Sequence, residues 1–146
     1  MIPKPFSWDR HGSKAEIDIA KELQRRGLHF SYQREVELWK SWVSPVWGKI
    51  CAVKKIHSDW HTPIPFGEEN KQYPLTGLRY LFIFLDGEEA HKGQQADQDF
   101  ETDQFIKDQG SISLRYSYRG QLSETRCREI VDQIEQTYRR AMKGDS

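Results

Sequence analysis

Apolar positions recur at helical spacing near both ends of the chain and at strand spacing between them. Over 13–27, Ala15, Ile19, Ala20 and Leu23 form one stripe, which predicts an amphipathic helix. Ser13 and Glu16 stand in capping-box relation at its start, and Arg25, Arg26 and Gly27 suit its end. Phe30, Tyr32, Val36 and Leu38 alternate with polar residues over 29–38 and predict one strand, broken in pattern by Arg34. The next stretch holds Trp39, Trp42 and Trp47 around Ser44-Pro45 and is expected to be an aromatic loop or a docking edge. A strand is predicted over 50–56, followed by an irregular insertion over about 62–77, where Pro, Gly and charged residues gather.

Residues 80–85 are apolar at every position, as in a strand covered on both faces of a sheet, and are expected to be central. Asp86-Gly87 ends that strand. A helix is predicted over 97–109, with Phe100 and Ile106 inward and Gly110 as its stop. Residues 111–118 alternate again, placing Ile112, Leu114, Tyr116 and Tyr118 opposite Ser113, Arg115 and Ser117. A last helix opens at Ser123, carrying Cys127, Ile130, Val131, Ile134, Tyr138 and Ala141 on one face. This order predicts an α/β fold, a mixed sheet flanked by helices, in a single domain over 1–146.

Composition adds constraints. Aromatic residues make up 12% of the chain and supply the buried area that 36% hydrophobic content alone would not. No apolar run reaches the ~20 residues that span a bilayer, and the first residues lack a signal-peptide core, so a cytoplasmic protein is expected. Cys51 and Cys127 form no metal-binding or disulfide pattern and are expected to be free thiols. The formal net charge is zero, yet it is unevenly spread. Residues 1–60 hold 11 basic and 7 acidic groups, 61–110 hold 4 and 10, and 111–146 hold 7 and 5. An acidic middle between basic flanks suits either a metal site within a nucleic-acid-binding frame or a solvated acidic surface.

Two constellations carry chemistry. His57, Asp59 and His61, spaced by two, share a face if the chain is extended there, a candidate site for zinc, manganese or iron. The second gathers Glu16 from the first helix, Asp59, and Asp86 and His91 beyond the central strand. Ligand sites of α/β sheets lie at the carboxyl ends of strands, where Asp86 and His91 are expected. Carboxylates suit Mg²⁺, and a histidine can take a proton from an attacking water, so these groups together fit phosphodiester hydrolysis. Each also has a plain alternative: Glu16 as capping partner, Asp86 as turn residue, His91 as a solvated side chain.

The run LFIFLDGEEAHKG, then Asp99 and Asp103, Ile106 and Gly110, Leu114-Arg115 and a terminal helix, resembles the very-short-patch-repair endonucleases and their relatives in the PD-(D/E)XK superfamily. The resemblance covers about half of the chain. It implies a restriction-endonuclease-like fold, Mg²⁺ (or Mn²⁺) as cofactor, DNA as substrate and an E, D, H, D set of catalytic residues: Glu16, Asp59, His91 and Asp97, with Asp99 as the other choice for the last. Asp86 would join Asp59 as a metal ligand. The chain departs from the family in having the long insertion between Asp59 and Asp86, no lysine after Asp86 and no zinc-binding histidine and cysteine set. It would be a relative rather than a very-short-patch-repair enzyme proper.

Arg25, Arg26, Lys40, Lys54 and Lys55 are candidate phosphate contacts, and Trp39 and Trp42 candidates for stacking on bases. A homodimer is expected if both strands are cut in one event. The rival expectations are a module of the same fold without catalysis, a small-molecule hydrolase built on His57, Asp59 and His61, and an interaction protein that docks through its tryptophans.

Overall fold

The computed structural model describes residues 14–44, 46–65, 79–87, 94–118 and 120–143, with 40–44, 49–51, 87 and 94–97 entering through their backbone alone. The first helix, α1 (Lys14–Arg25), buries the expected stripe of Ala15, Ile19, Ala20 and Leu23. Gly27 (φ 76°) then turns the chain in the left-handed conformation that a glycine adopts without strain. The proposed cap Ser13 lies outside the described residues.

The strand predicted over 29–38 is two strands, β1 (Ser31–Tyr32) and β2 (Glu35–Ser44). Gln33 sits between them at φ 46° and donates its backbone N–H to the carbonyl of Asp59 at 2.9 Å, which redirects the chain from one sheet to another. The expected tryptophan loop is also strand. β2 pairs in antiparallel register with β3 (Gly48–His57) as a ten-residue hairpin, Glu35 opposite His57 and Ser44 opposite Gly48. Gly48, at φ 74°, supplies the tight return.

The main sheet has the order β1, β4 (Trp60–Ile64), β5 (Arg79–Gly87), β6 (Ile112–Tyr118). β4 runs antiparallel to both β1 and β5, and β5 runs parallel to β6. β5 is thus internal to the sheet, as its continuous apolar run requires. The crossover to β6 is α2 (Gln94–Gln109), and α3 (Glu124–Met142) closes the chain. Ser123 caps α3, its hydroxyl accepting from Arg126 N at 3.1 Å. Residues 62–64, expected in the irregular insertion, complete β4. Among the described residues β1 pairs with Trp60 and His61 alone, so Pro63 lies where one side of β4 has no described neighbour. The rest of the expected insertion, 66–77, lies outside the described residues.

Alternation along β5 divides the core into two layers. Ile83 and Leu85 face α1 and α3, packing with Trp60, Tyr116, Cys127, Ile130, Val131 and Ile134. Phe82 and Phe84 face the other way, against Leu38 and Ile56 of the hairpin and Ile106 of α2. Phe100, expected to point inward beside Ile106, is 70% exposed, because α2 turns only its later residues onto the sheet. Cys127 is a free, buried packing residue, as expected. The molecule is therefore a mixed α/β structure with a mixed sheet flanked by helices. Among the described residues no helix is long and apolar enough to cross a membrane.

This layering sets the cost of core truncation. Ile83→Ala is expected to lower unfolding free energy by about 2–5 kcal/mol, and Phe100→Ala by roughly 0.5 kcal/mol or less, both read from urea denaturation. Equal costs at the two positions would contradict the assignment of inner and outer faces.

Candidate active site

Asp59 occupies the bend between the hairpin and β4, held from three directions. Its carbonyl accepts from Gln33 N, its N–H donates to Ile83 O at 3.1 Å, and its Oδ2 accepts from Leu85 N at 2.7 Å. Ser58 tightens the bend by donating its hydroxyl to Trp60 O at 2.9 Å. Main chain and side chain of Asp59 are both fastened to β5, one residue before Asp86.

Glu16 arrives from the first turn of α1. The Tyr32 hydroxyl donates to Glu16 Oε2, and Gln33 Nε2 donates to the same oxygen at 3.3 Å. Tyr32 in turn stacks on Trp60, with ring centroids 5.8 Å apart. Burial, then the hydrogen bond to Glu16 and the charges of Glu16 and Asp59, push the Tyr32 phenol well above its ordinary pKa. Burial is also the main force on the Asp59 carboxyl. Leu85 N–H opposes it, but Glu16 and Asp86 add to it, and the carboxyl rises from 3.8 to about 6. The charges of Glu16 and Asp86 therefore both bear on Asp59, and Asp86 stands at the carboxyl end of β5, where the sequence pattern places it.

Beyond Asp86 lies a residue with a role that spacing did not disclose. Arg115, on β6 and in parallel register with Phe84, donates from Nη1 to Asp86 Oδ2 at 3.1 Å. Its Nε and Nη2 take the two oxygens of Asp103 at 3.1 and 2.9 Å, and Asp99 Oδ2 lies 3.6 Å from Nη1. The guanidinium carbon is 4.2 Å from the centroid of the Phe84 ring. The signal available was an arginine inside a strand that adjoins the central strand, with acids at i,i+4 on the preceding helix. Tyr32 was similarly read as an apolar strand position, although a half-buried phenol usually needs a hydrogen-bond partner.

The histidine cluster does not assemble. The chain bends at Ser58-Asp59 rather than running extended, so His57 is exposed while His61 is buried against Tyr80 and Phe82, with centroids 5.8 and 6.2 Å away. Burial, then the charge of Arg34, lowers the His61 pKa and so disfavours its protonated form. Among the described residues, no group of three or more His, Cys, Asp or Glu side chains is arranged to hold a metal ion. His91 lies outside the described residues, and Asp97 is described by its place in the first turn of α2 alone.

The candidate DNA contacts divide. Arg25 pairs with Glu22, and Arg26 bridges Glu22, Asp132 and Glu135, stitching α1 to α3. The hairpin instead presents Trp39 beside Val53, 46% and 44% exposed, with Lys55 exposed across from Glu37 and Lys54 half-buried across from Leu38. Val46 and Trp47 are exposed at its turn. Lys40 and Trp42 lie on β2 at the positions opposite Ala52 and Ile50.

These elements define the class as a mixed α/β protein with carboxylates gathered at the end of its central strand. No family model, curated protein or solved structure matches the chain.

A buried acid raised above its unfolded value binds more protons in the native than in the unfolded state, so stability falls as pH rises from about 4 to 6. Asp59→Asn keeps an acceptor for Leu85 N–H and removes that penalty. The metal-free variant is expected to gain on the order of 2 kcal/mol at pH 7.5, roughly 4–8 °C in Tm, and to lose the slope between pH 4 and 6. A Tm equal to or below the wild type would contradict the electrostatic crowding.

Proposed function

We propose that the chain is a metal-dependent DNA endonuclease of restriction-endonuclease-like fold, a relative of the very-short-patch-repair enzymes. The observation that carries this reading is the bond from Leu85 N to Asp59 Oδ2 at 2.7 Å, one residue before Asp86 at the carboxyl end of β5, where burial and the crowding charges of Glu16 and Asp86 push the Asp59 carboxyl up to about 6. A divalent cation at Asp59 relieves that crowding. Mg²⁺ asks for one or two carboxylates together with water and substrate phosphate, so Asp59 and Asp86 suffice as its protein ligands. When bound, Mg²⁺ (or Mn²⁺) would spread the charge developing on the phosphate oxygens.

The chain's own groups divide the remaining work. His91 accepts a proton from the attacking water, a new P–O bond forms as the bond to the leaving sugar oxygen breaks, and that oxygen takes a proton from solvent. Glu16, oriented by Tyr32 and Gln33, and Asp97 complete the E, D, H, D set that the resemblance implies. The β2–β3 hairpin is the DNA contact. A two-stranded ribbon fits the major groove of B-form DNA, and its outer face offers Trp39 to the bases and Lys55 to the phosphates, while Lys40, Trp42 and Lys54 belong to the opposite face and would meet the DNA at its flank. To join them, Arg25 would have to give up its ion pair with Glu22, and Arg26 its pairs with Glu22 of α1 and with Asp132 and Glu135 of α3. A cytoplasmic homodimer would let two such sites cut both strands in one event.

A second reading, a module of this fold that binds DNA without cutting it, is favoured by the lack of a three-ligand metal group among the described residues. Plasmid nicking separates the two. Purified protein with Mg²⁺ or Mn²⁺ is expected to nick supercoiled DNA, EDTA to stop it, and His91→Ala or Asp59→Asn to slow it by about 100-fold or more. Lys54→Glu/Lys55→Glu is expected to weaken DNA binding about tenfold and to reduce its salt dependence. Undiminished cutting by His91→Ala would overturn the mechanism, and metal-independent binding without cutting would establish the second reading.

A further inference from the structure

Asp86 belongs to two groups of carboxylates at once. Toward β4 it directly follows Leu85, whose N–H holds Asp59 Oδ2 at 2.7 Å. Toward α2 it meets Arg115 together with Asp99 and Asp103, so that one guanidinium serves three acids. The placement of that guanidinium does not depend on a free surface side chain. Parallel pairing of β5 with β6 sets Arg115 beside Phe84, the Phe84 ring supports its face, and Asp103 takes it by two parallel hydrogen bonds. A lysine would offer one point charge here, whereas the planar fork of arginine reaches both Asp86 and Asp103.

Hydrolytic sites with two metal ions keep them about 3.5–4 Å apart, drawing on carboxylates that lie between and beside them. In this chain the carboxylates that would serve a second ion, Asp86 Oδ2, Asp99 and Asp103, already face a permanent cation at 2.9–3.6 Å. We infer that Arg115 is a positioning residue that stands in place of a second metal ion, orienting Asp86 and limiting the site to one divalent cation on its Asp59 side. This rests on the nuclease reading and adds to it the number of ions and the residue that sets the number.

Calorimetric titration of the full chain with Mn²⁺ alone, without DNA, tests it, with circular dichroism as the check on folding. The wild type is expected to bind one ion. Arg115→Gln, which removes the charge and leaves three acids without it, is expected to bind two, and Arg115→Lys, which keeps the charge, to return to one. A merely structural role for Arg115 would leave the number unchanged in a folded Arg115→Gln protein, and that result would overturn the inference. If Arg115→Gln does not fold, Asp99→Asn/Asp103→Asn decides instead. It is expected to keep one ion with affinity within about threefold of wild type, and loss of the ion would show that these acids are ligands. Two ions in the wild type would overturn the inference alone, whereas none would overturn the nuclease reading with it.

Discussion

The antiparallel pairing of β4 with β5, extended through Asp59, is the constraint on which the candidate site depends. Trp60 opposite Ile83 sets the register, and the bonds from Asp59 N to Ile83 O and from Leu85 N to Asp59 Oδ2 continue the ladder past the end of β4. A carboxyl placed this way is largely withdrawn from water. One backbone N–H offsets only part of that cost, and Asp86 follows Leu85 directly, so the same ladder that anchors Asp59 also puts a second acid beside it. The result is local charge repulsion held in place by a sheet whose stability comes from elsewhere.

The source of that stability is the apolar alternation of β5. One face is closed by α1 and α3, the other by the hairpin and α2, and each layer carries part of the site. α1 brings Glu16, whose carboxylate is fixed by Tyr32 from β1. α2 brings Asp99 and Asp103, which meet Arg115 from β6. From one layer the charge of Glu16 bears on Asp59, whereas Asp99 and Asp103 from the other meet Arg115. In the proposed reading, that asymmetry about the central strand leaves one side for a divalent cation, the other being already occupied by the Arg115 guanidinium.

Much of the fold was legible because periodicity reports burial directly. The stripe of α1, the unbroken apolar run of β5, the alternation of β6 and the face of α3 each matched one face of an observed layer. Failures came where a tertiary bond outweighed local pattern. The break at Gln33 depends on a hydrogen bond to Asp59, twenty-six residues away, and no glycine marks its positive φ. The tryptophan segment looked like a loop because Ser44-Pro45 sits in it, yet ten cross-strand pairs make it a hairpin. At the candidate site, the place of Asp86 at the end of the central strand was legible, whereas the tie of Asp59 to β5 was not, since it depends on the bond from Leu85 N to its carboxylate. Arg115 was not, since its meaning depends on which residue of β5 the parallel register sets beside it.

The most direct measurement is the position of a divalent cation in crystals of the wild-type protein soaked in Mn²⁺, located by anomalous scattering. A single peak within bonding distance of Asp59 and Asp86 carboxylate oxygens is the expected result. A peak held by Asp99 and Asp103, or by His57 and His61, or none at Asp59 when the crystal is saturated with Mn²⁺, would contradict the assignment of this acid cluster as the metal site of a nuclease.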